Sequence, residues 1–394
     1  MSHRGIAALC MVLAACGPGA APSPPARALA PASAPAPAPA PAPALAPAPA
    51  PALAPAPALA PAPAPALAPA PADPGQLFAN LSSCPLESGA RIDDCRVGYR
   101  TFGTLDASKS NAILFPTWFS GTTKPLVDVV PDKLVDTKRF FLVLVDALGD
   151  GVSTSPSNSA TQPRLSFPRF TIKDMVESQR RLLTEVLGIT HLRAVMGISM
   201  GGMQAIEWGV EHPELVDRIV PIVGTPQLTS NDLLLWTTEL HALQNDVAFA
   251  NGNYAGRPQI RAVLDLHALA LTTPAYRAAQ TTREAFPAWV AAREAETTFD
   301  WNDWHRQLEA MLVHDVTKPY GGTMDAAAKR VKARALFVVA AQDHMVSPLP
   351  SRAFARAMGS SAEVVSLDGP CGHFAPTCEA AKLSAAVLPF LAAP

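Results

Sequence analysis

Charged side chains are scarce: they make up 16% of 394 residues, with 31 Lys and Arg against 33 Asp and Glu and a net charge of −2. No Lys/Arg cluster stands out, so nucleic acid is excluded as a partner. Cysteine is sparse as well, with six residues whose spacing matches no zinc ribbon. No histidine set accompanies them, and no metal site is predicted. A long apolar run is missing where an N-terminal membrane span would lie. Ile6–Val12 is far shorter than the about 20 residues that a bilayer requires. Proline, by contrast, is abundant at 41 residues, and its uneven placement divides the chain.

His3 and Arg4 precede that apolar run and Leu13-Ala14-Ala15-Cys16 closes it, which is the size and layout of a secretory signal. The tetrapeptide resembles the bacterial lipobox. That resemblance implies lipidation of Cys16 as the new N-terminus and, with Gly17 rather than an aspartate next, sorting to an outer membrane. The alternative is ordinary cleavage near Ala15 or Ala20. From about Ala20 to Ala72 the chain is dominated by alanine and proline, with Arg27 as its sole charge. Alternating prolines exclude helix and sheet, so residues 17–76 read as an extended tether, with a reach on the order of 100–150 Å. Residues 77–394 follow, enough for one large α/β domain. If Cys10 leaves with the signal and Cys16 carries lipid, Cys84, Cys95, Cys371 and Cys378 remain. Four cysteines allow three pairings. The local pairs Cys84–Cys95 and Cys371–Cys378 are the simplest, and four reduced thiols are the alternative. The expectation is an exported protein, lipid-anchored to a bacterial envelope.

Short apolar, β-rich runs lie at Arg96–Gly103, Ala112–Phe115, Phe140–Val145, Leu192–Met196, Arg218–Val223, Ala335–Ala340 and Val364–Leu367. Thr171–Leu187 has apolar residues near helical spacing. Strands alternating with helices predict a mostly parallel central sheet with helices on both faces. Between about 226 and 324 the strand runs stop and helix-forming segments with four tryptophans take over. This reads as an inserted helical cap.

The chemistry centres on Gly197-Ile198-Ser199-Met200-Gly201-Gly202, between the strand at 192–196 and the helix-like run Met203–Trp208. A glycine-flanked serine between strand and helix is the context of a nucleophile elbow, and it frees the Met200 amide to donate to an oxyanion. A serine nucleophile needs a base and a group to orient that base. With such an elbow the chain order is serine, acid, histidine, each at the C-terminal end of a strand. Asp343 follows the strand Leu336–Ala340, and His373 lies in the loop after Val364–Leu367. Asp368, His344 and His212 are weaker candidates by order and position. The loop Thr117–Gly121 supplies the second oxyanion donor, the Phe119 amide or its Trp118 neighbour. The aromatic side chains there serve either as acyl-pocket wall, Trp118 first, or as core.

These residues resemble the homoserine O-acetyltransferase family of α/β-hydrolase folds. The match includes Tyr99–Leu105 with Ser110-Asn111-Ala112, Asp136-Thr137 before Phe140-Phe141, the run Gly197–Trp208, and Phe299-Asp300 with Asn302. The resemblance implies that fold, catalytic roles for Ser199, Asp343 and His373, and dimers formed through cap helices. The chain departs from the family in three places. Phe374 follows His373 where the transferases carry an aspartate that helps hold the homoserine amino group. Gln342-Asp343-His344-Met345-Val346 replaces the family's pattern around the acid. The arginine resembling a carboxylate anchor has no clear counterpart in Ala262–Leu271. Buried polar groups need partners, so an amino-acid substrate fits poorly. The reading is therefore a cofactor-free, exported serine hydrolase of carboxylic esters, acting through an acyl-serine intermediate. Acetyl transfer from acetyl-CoA to homoserine or another small alcohol is the first alternative, and a non-catalytic surface lipoprotein is the second.

Overall fold

The structure, a computed structural model, describes residue 73 and residues 75–295 and 299–394. The expected signal segment with its lipidation site Cys16, and the tether as far as Ala72, lie outside the described residues. Eight strands form one sheet: β1 (Leu77–Asn80), β2 (Arg96–Phe102), β3 (Ala112–Pro116), β4 (Phe141–Val145), β5 (Ala194–Ile198), β6 (Arg218–Ile222), β7 (Arg334–Ala340) and β8 (Ala362–Leu367). Their spatial order is β1-β2-β4-β3-β5-β6-β7-β8. β2 pairs antiparallel with β1 and with β4, and every pairing from β4 to β8 is parallel.

Alternation along the strands feeds two cores. Leu114, Val143, Val145, Val195, Ile219 and Phe337 face one side of the sheet. Ile113, Phe115, Leu142, Leu144, Met196, Val220 and Val338 face the other. The first side is covered by α1 (Ile172–Arg181) and α2 (Met200–Glu211), and the second by the C-terminal helix Ala380–Ala392. Both faces are therefore dry, which is why the inner strands are apolar at successive positions rather than alternately.

The N-terminal part of the domain differs from expectation. β1 and a small hairpin, Ser83–Pro85 with Arg91–Asp93, were not legible as strands. Cys84 pairs with Cys95 beside that hairpin and Cys371 with Cys378, with Cα separations of 5.5 and 6.5 Å. The helix expected over Thr171–Leu187 stops at Arg181. A capping box at Thr171 and Asp174 starts it. The Thr184 hydroxyl then donates to the Arg180 carbonyl, and the chain widens through Leu182–Val186, with the Leu187 amide on Leu182 O.

The chain between β6 and β7 is helical: α3 (Ser230–Asn245), α4 (Arg261–Leu271), α5 (Pro274–Gln280), α6 (Phe286–Ala295) and α7 (Trp301–Leu312). α7 is buried nearly all round and clasps the body. Asp303 accepts from the Ser157 amide and hydroxyl at 2.9 and 2.5 Å, and Arg306 donates to the Phe167 and Leu165 carbonyls at 2.9 and 2.5 Å.

α2 crosses the sheet at backbone contact. A Cβ on Gly224, just past β6, would lie 2.6 Å from the Gly202 carbonyl carbon. Gly224→Ala is expected to cost about 1–3 kcal/mol through overpacking. The melting temperature should drop by several degrees, and an unchanged value would contradict the contact. Glu207, one turn further along α2, is buried. Burial, with Glu211 repulsion added, pushes its carboxyl up to about 8. A raised carboxyl binds its proton more tightly in the folded state, so stability is lost as pH rises from about 4.5 to about 8 and levels off above that. The melting temperature should fall between about pH 5 and 8, and Glu207→Gln should flatten the fall. An equal slope in wild type and variant would contradict the assignment.

Candidate active site

β5 ends at Ile198, and Ser199 turns the chain into α2 with φ of +58°. A non-glycine residue in that region is strained, and it holds its place because its neighbours fix it. The Ser199 amide donates to Ile222 O at 2.8 Å and the Ser199 carbonyl accepts from the Met203 amide at 3.0 Å. A Cβ on Gly197 would lie 2.5 Å from the Gly201 carbonyl, and one on Gly201 would lie 2.6 Å from Pro116 O. The glycines are therefore dictated by closeness, and Ser199 is held at the C-terminal edge of the sheet.

Asp343 follows β7. Its Oδ1 accepts the Met345 and Val346 amides, both at 2.9 Å, which leaves Oδ2 for His373 Nδ1 at 2.7 Å. His373 Nε2 in turn lies 2.8 Å from Ser199 Oγ. With Nδ1–H donated to the carboxylate, Nε2 presents its lone pair to the serine proton. All three residues are under 10% exposed. The histidine loop is pinned from the cap. Gly372 has φ of +66°, a Cβ there would lie 3.1 Å from Thr273 N, and the Thr273 hydroxyl donates to Pro370 O. Cys371–Cys378 closes the same loop. The rival candidates lie elsewhere. Asp368 pairs with Lys382 at 3.1 Å, His212 with Glu177 at 2.6 Å, and His344 is exposed.

The amides expected to bind an oxyanion lie at the start of α2 and in the turn after β3. Met200 opens α2, where unpaired N–H groups and the helix dipole favour negative charge. The other comes from Trp118–Gly121, a turn closed by the Gly121 amide on Trp118 O at 3.1 Å, with Ser120 at φ of +59°. Neither the Trp118 nor the Phe119 amide has an acceptor among the described residues. The turn is buttressed by two glutamines that sequence reasoning did not single out. Gln307 of α7 accepts the Ser120 amide at 3.0 Å and donates to Leu148 O at 3.1 Å. Gln204 of α2 donates to Thr117 O at 3.1 Å and accepts from Gln179, which in turn accepts the Trp208 indole N–H at 2.9 Å. Gln204 and Trp208 lie in the recognised run Gly197–Trp208, so a signal was present for them. Gln307 carried none.

Ser199 and His373 open on a cavity of about 450 Å³ whose walls include Trp118, Phe119, Trp236, Leu271 and Phe374, with Lys133 and Arg293 also lining it. Trp118 and Phe119 are thus both wall residues, and the Phe119 ring also packs on Trp236 and Trp304 at 5.9 and 4.6 Å. No carboxylate lines the cavity among the described residues. No group of three or more His, Cys, Asp or Glu side chains is arranged for a metal among them either.

The sequence signature of the α/β hydrolase fold matches residues 113–376. A probable esterase of Corynebacterium glutamicum is 31% identical over 309 residues, spanning 75% of this chain and 88% of that protein. An ethyl acetate hydrolase of Pseudomonas veronii is 37% identical over 194 residues, 48% of this chain and 55% of that one. A homoserine O-acetyltransferase of Moorella thermoacetica is 29% identical over 371 residues, covering 80% and 95%. The crystal structure of an acetylester hydrolase from Corynebacterium glutamicum superposes with a TM-score of 0.75 at 27% identity, over 81% of this chain and 96% of that one. With this sheet order and this strand–serine–helix junction, the chain belongs to the α/β hydrolase fold family and, within it, to the homoserine O-acetyltransferase-like enzymes.

Proposed function

We propose that the protein is an exported serine hydrolase that cleaves small carboxylic esters through an acyl-serine intermediate. The observation that carries this reading is the unbroken line from Asp343 Oδ2 to His373 to Ser199 Oγ, at 2.7 and 2.8 Å. In the acylation step Ser199 Oγ attacks the ester carbonyl while His373 Nε2 takes its proton. Asp343 steadies the resulting imidazolium, and the amides of Met200 and Phe119 receive the oxyanion. The tetrahedral intermediate collapses by expelling the alcohol, which leaves with the proton from Nε2. Water then repeats the sequence against the acyl-serine and releases the acid. No cofactor takes part.

Two observations favour water as the acyl acceptor. Phe374 stands beside His373, 41% exposed and on the cavity wall, and no carboxylate faces the cavity to pair with an amino acid's ammonium group. The relatives named esterase and ethyl acetate hydrolase support the same reading. Acetyl transfer to homoserine is the second reading. It is favoured by Arg293 and Lys133, cations on the cavity wall, and by similarity to a transferase over 95% of that protein. Export and anchoring rest on the lipobox-like Leu13–Cys16 and the Ala/Pro segment, and the two cysteine pairs suit an oxidising compartment.

A fluorophosphonate probe should label wild-type protein and leave Ser199→Ala unlabelled. p-Nitrophenyl acetate hydrolysis should fall by roughly 10⁵–10⁶-fold in Ser199→Ala. Adding homoserine and acetyl-CoA should release no extra CoA. Absence of labelling would sink both enzyme readings, and homoserine-dependent CoA release without ester hydrolysis would install the second. Gln307 acts as a positioning residue for the oxyanion turn. Gln307→Leu should lower kcat about tenfold, the worth of one well-placed hydrogen bond, with KM nearly unchanged. A rise in KM at constant kcat would assign Gln307 to substrate binding instead.

A further inference from the structure

A second histidine–carboxylate pair faces the same cavity from the cap. His267 of α4 lines the cavity, and its Nδ1 lies 3.3 Å from Oε1 of Glu239 on α3, outside hydrogen-bond geometry. The Glu239 side chain is fully buried, and neither carboxylate oxygen has a hydrogen-bond partner among the described residues. Two indole N–H groups of the same cluster, Trp236 and Trp304, are also buried without partners. Their rings enclose the imidazole, Trp304 at 5.0 Å and Trp236 at 6.0 Å, with Phe119 at 5.8 Å. Trp236 also lines the cavity.

Unpaired buried polar atoms cost folding free energy, typically 1–3 kcal/mol for each group. An apolar wall alone would serve a purely hydrophobic pocket better, so this cluster is accounted for by a polar group that arrives with the ligand. The Glu239 carboxyl group beside Nδ1 favours the tautomer that carries its proton on that nitrogen. The other nitrogen, Nε2, makes no hydrogen bond and is not among the fully buried atoms. It therefore offers a lone pair to the cavity. We propose that His267, beside Glu239, is a hydrogen-bond acceptor for a hydroxyl group on the ester, so that the favoured substrates are short hydroxyalkyl esters rather than plain alkyl ones. This rests on the esterase reading above and names the substrate class for it.

The test uses the full-length protein with two esters of matched shape, 4-hydroxybutyl acetate and pentyl acetate, in which a hydroxyl replaces a methyl. The ratio of their kcat/KM values is the readout, since it cancels general effects on the catalytic centre. The wild-type ratio should exceed one, and it should fall about tenfold in His267→Leu, the worth of one hydrogen bond. Glu239→Leu supplies an independent arm. It should lower the same ratio while raising the melting temperature, because it removes a buried carboxyl group whose oxygens accept no hydrogen bond among the described residues. A purely structural role for Glu239 would lower stability and leave the ratio unchanged, which overturns the proposal. So would a wild-type ratio of one or less, or a stronger preference for 4-aminobutyl acetate. Binding to Ser199→Ala, followed by tryptophan fluorescence, separates the two readings. Tighter binding of the hydroxyalkyl ester there, erased by adding His267→Leu, supports the subsite even if no ester is turned over. Equal binding of both esters refutes it.

Discussion

The absence of room for a side chain at Gly201 is the constraint on which the site depends. A Cβ there would sit 2.6 Å from the Pro116 carbonyl oxygen at the end of β3. This approach brings the first turn of α2 against the loop that follows β3. It sets the Met200 amide and the Trp118–Gly121 turn at one locus, although they are about eighty residues apart in sequence. It also forces Ser199 into positive φ, since the chain must leave β5 and enter α2 within one residue. Strain at Ser199 is offset by the strand and helix hydrogen bonds on either side.

The cap contributes to the same locus rather than merely covering it. α7 lends Gln307 to the turn after β3, and the end of α4 presses on the histidine loop at Gly372. Polar side chains on α7 (Asp303, Arg306 and Gln307) reach buried backbone groups of the body. Such contacts have fixed geometry, unlike apolar packing, and they index the cap to the sheet in one register. Displacing α7 would leave the Ser120 amide and the Leu148 carbonyl unpaired together, so the cap behaves as a wall of the site.

How much of this was legible in the sequence follows from which forces act locally. The inner strands could be read because a strand dry on both faces must be apolar at every position, as Ala112–Pro116 and Arg334–Ala340 nearly are. β1 could not be read. It has four residues at the sheet edge, mostly exposed, with only Ala79 buried. Ser199, Asp343 and His373 could be placed because strand ends and chain order locate them. The break at Leu182 was invisible, because Thr184 and Arg180 look helical until one competes for the other's carbonyl. Gln307 and Glu239 were missed because a buried polar residue on an amphipathic helix reads as part of its wet face. What each does is decided by a partner far away in sequence.

The two histidine–carboxylate pairs on the cavity show how environment separates similar groups. Asp343 has its Oδ1 saturated by two amides and its Oδ2 by His373. Three of its about four acceptor sites are filled, and the imidazole it holds lies 2.8 Å from Ser199 Oγ. In the proposed mechanism, preorganisation of this kind would let charge develop on His373 without rearrangement. Glu239 accepts nothing, and His267 beside it completes no hydrogen bond. A pair left open in a buried site has no structural gain to explain it, since an apolar pair of the same volume would stabilise the cap more. One pair therefore has its hydrogen bonds made and reaches Ser199, while the other leaves its own unmade.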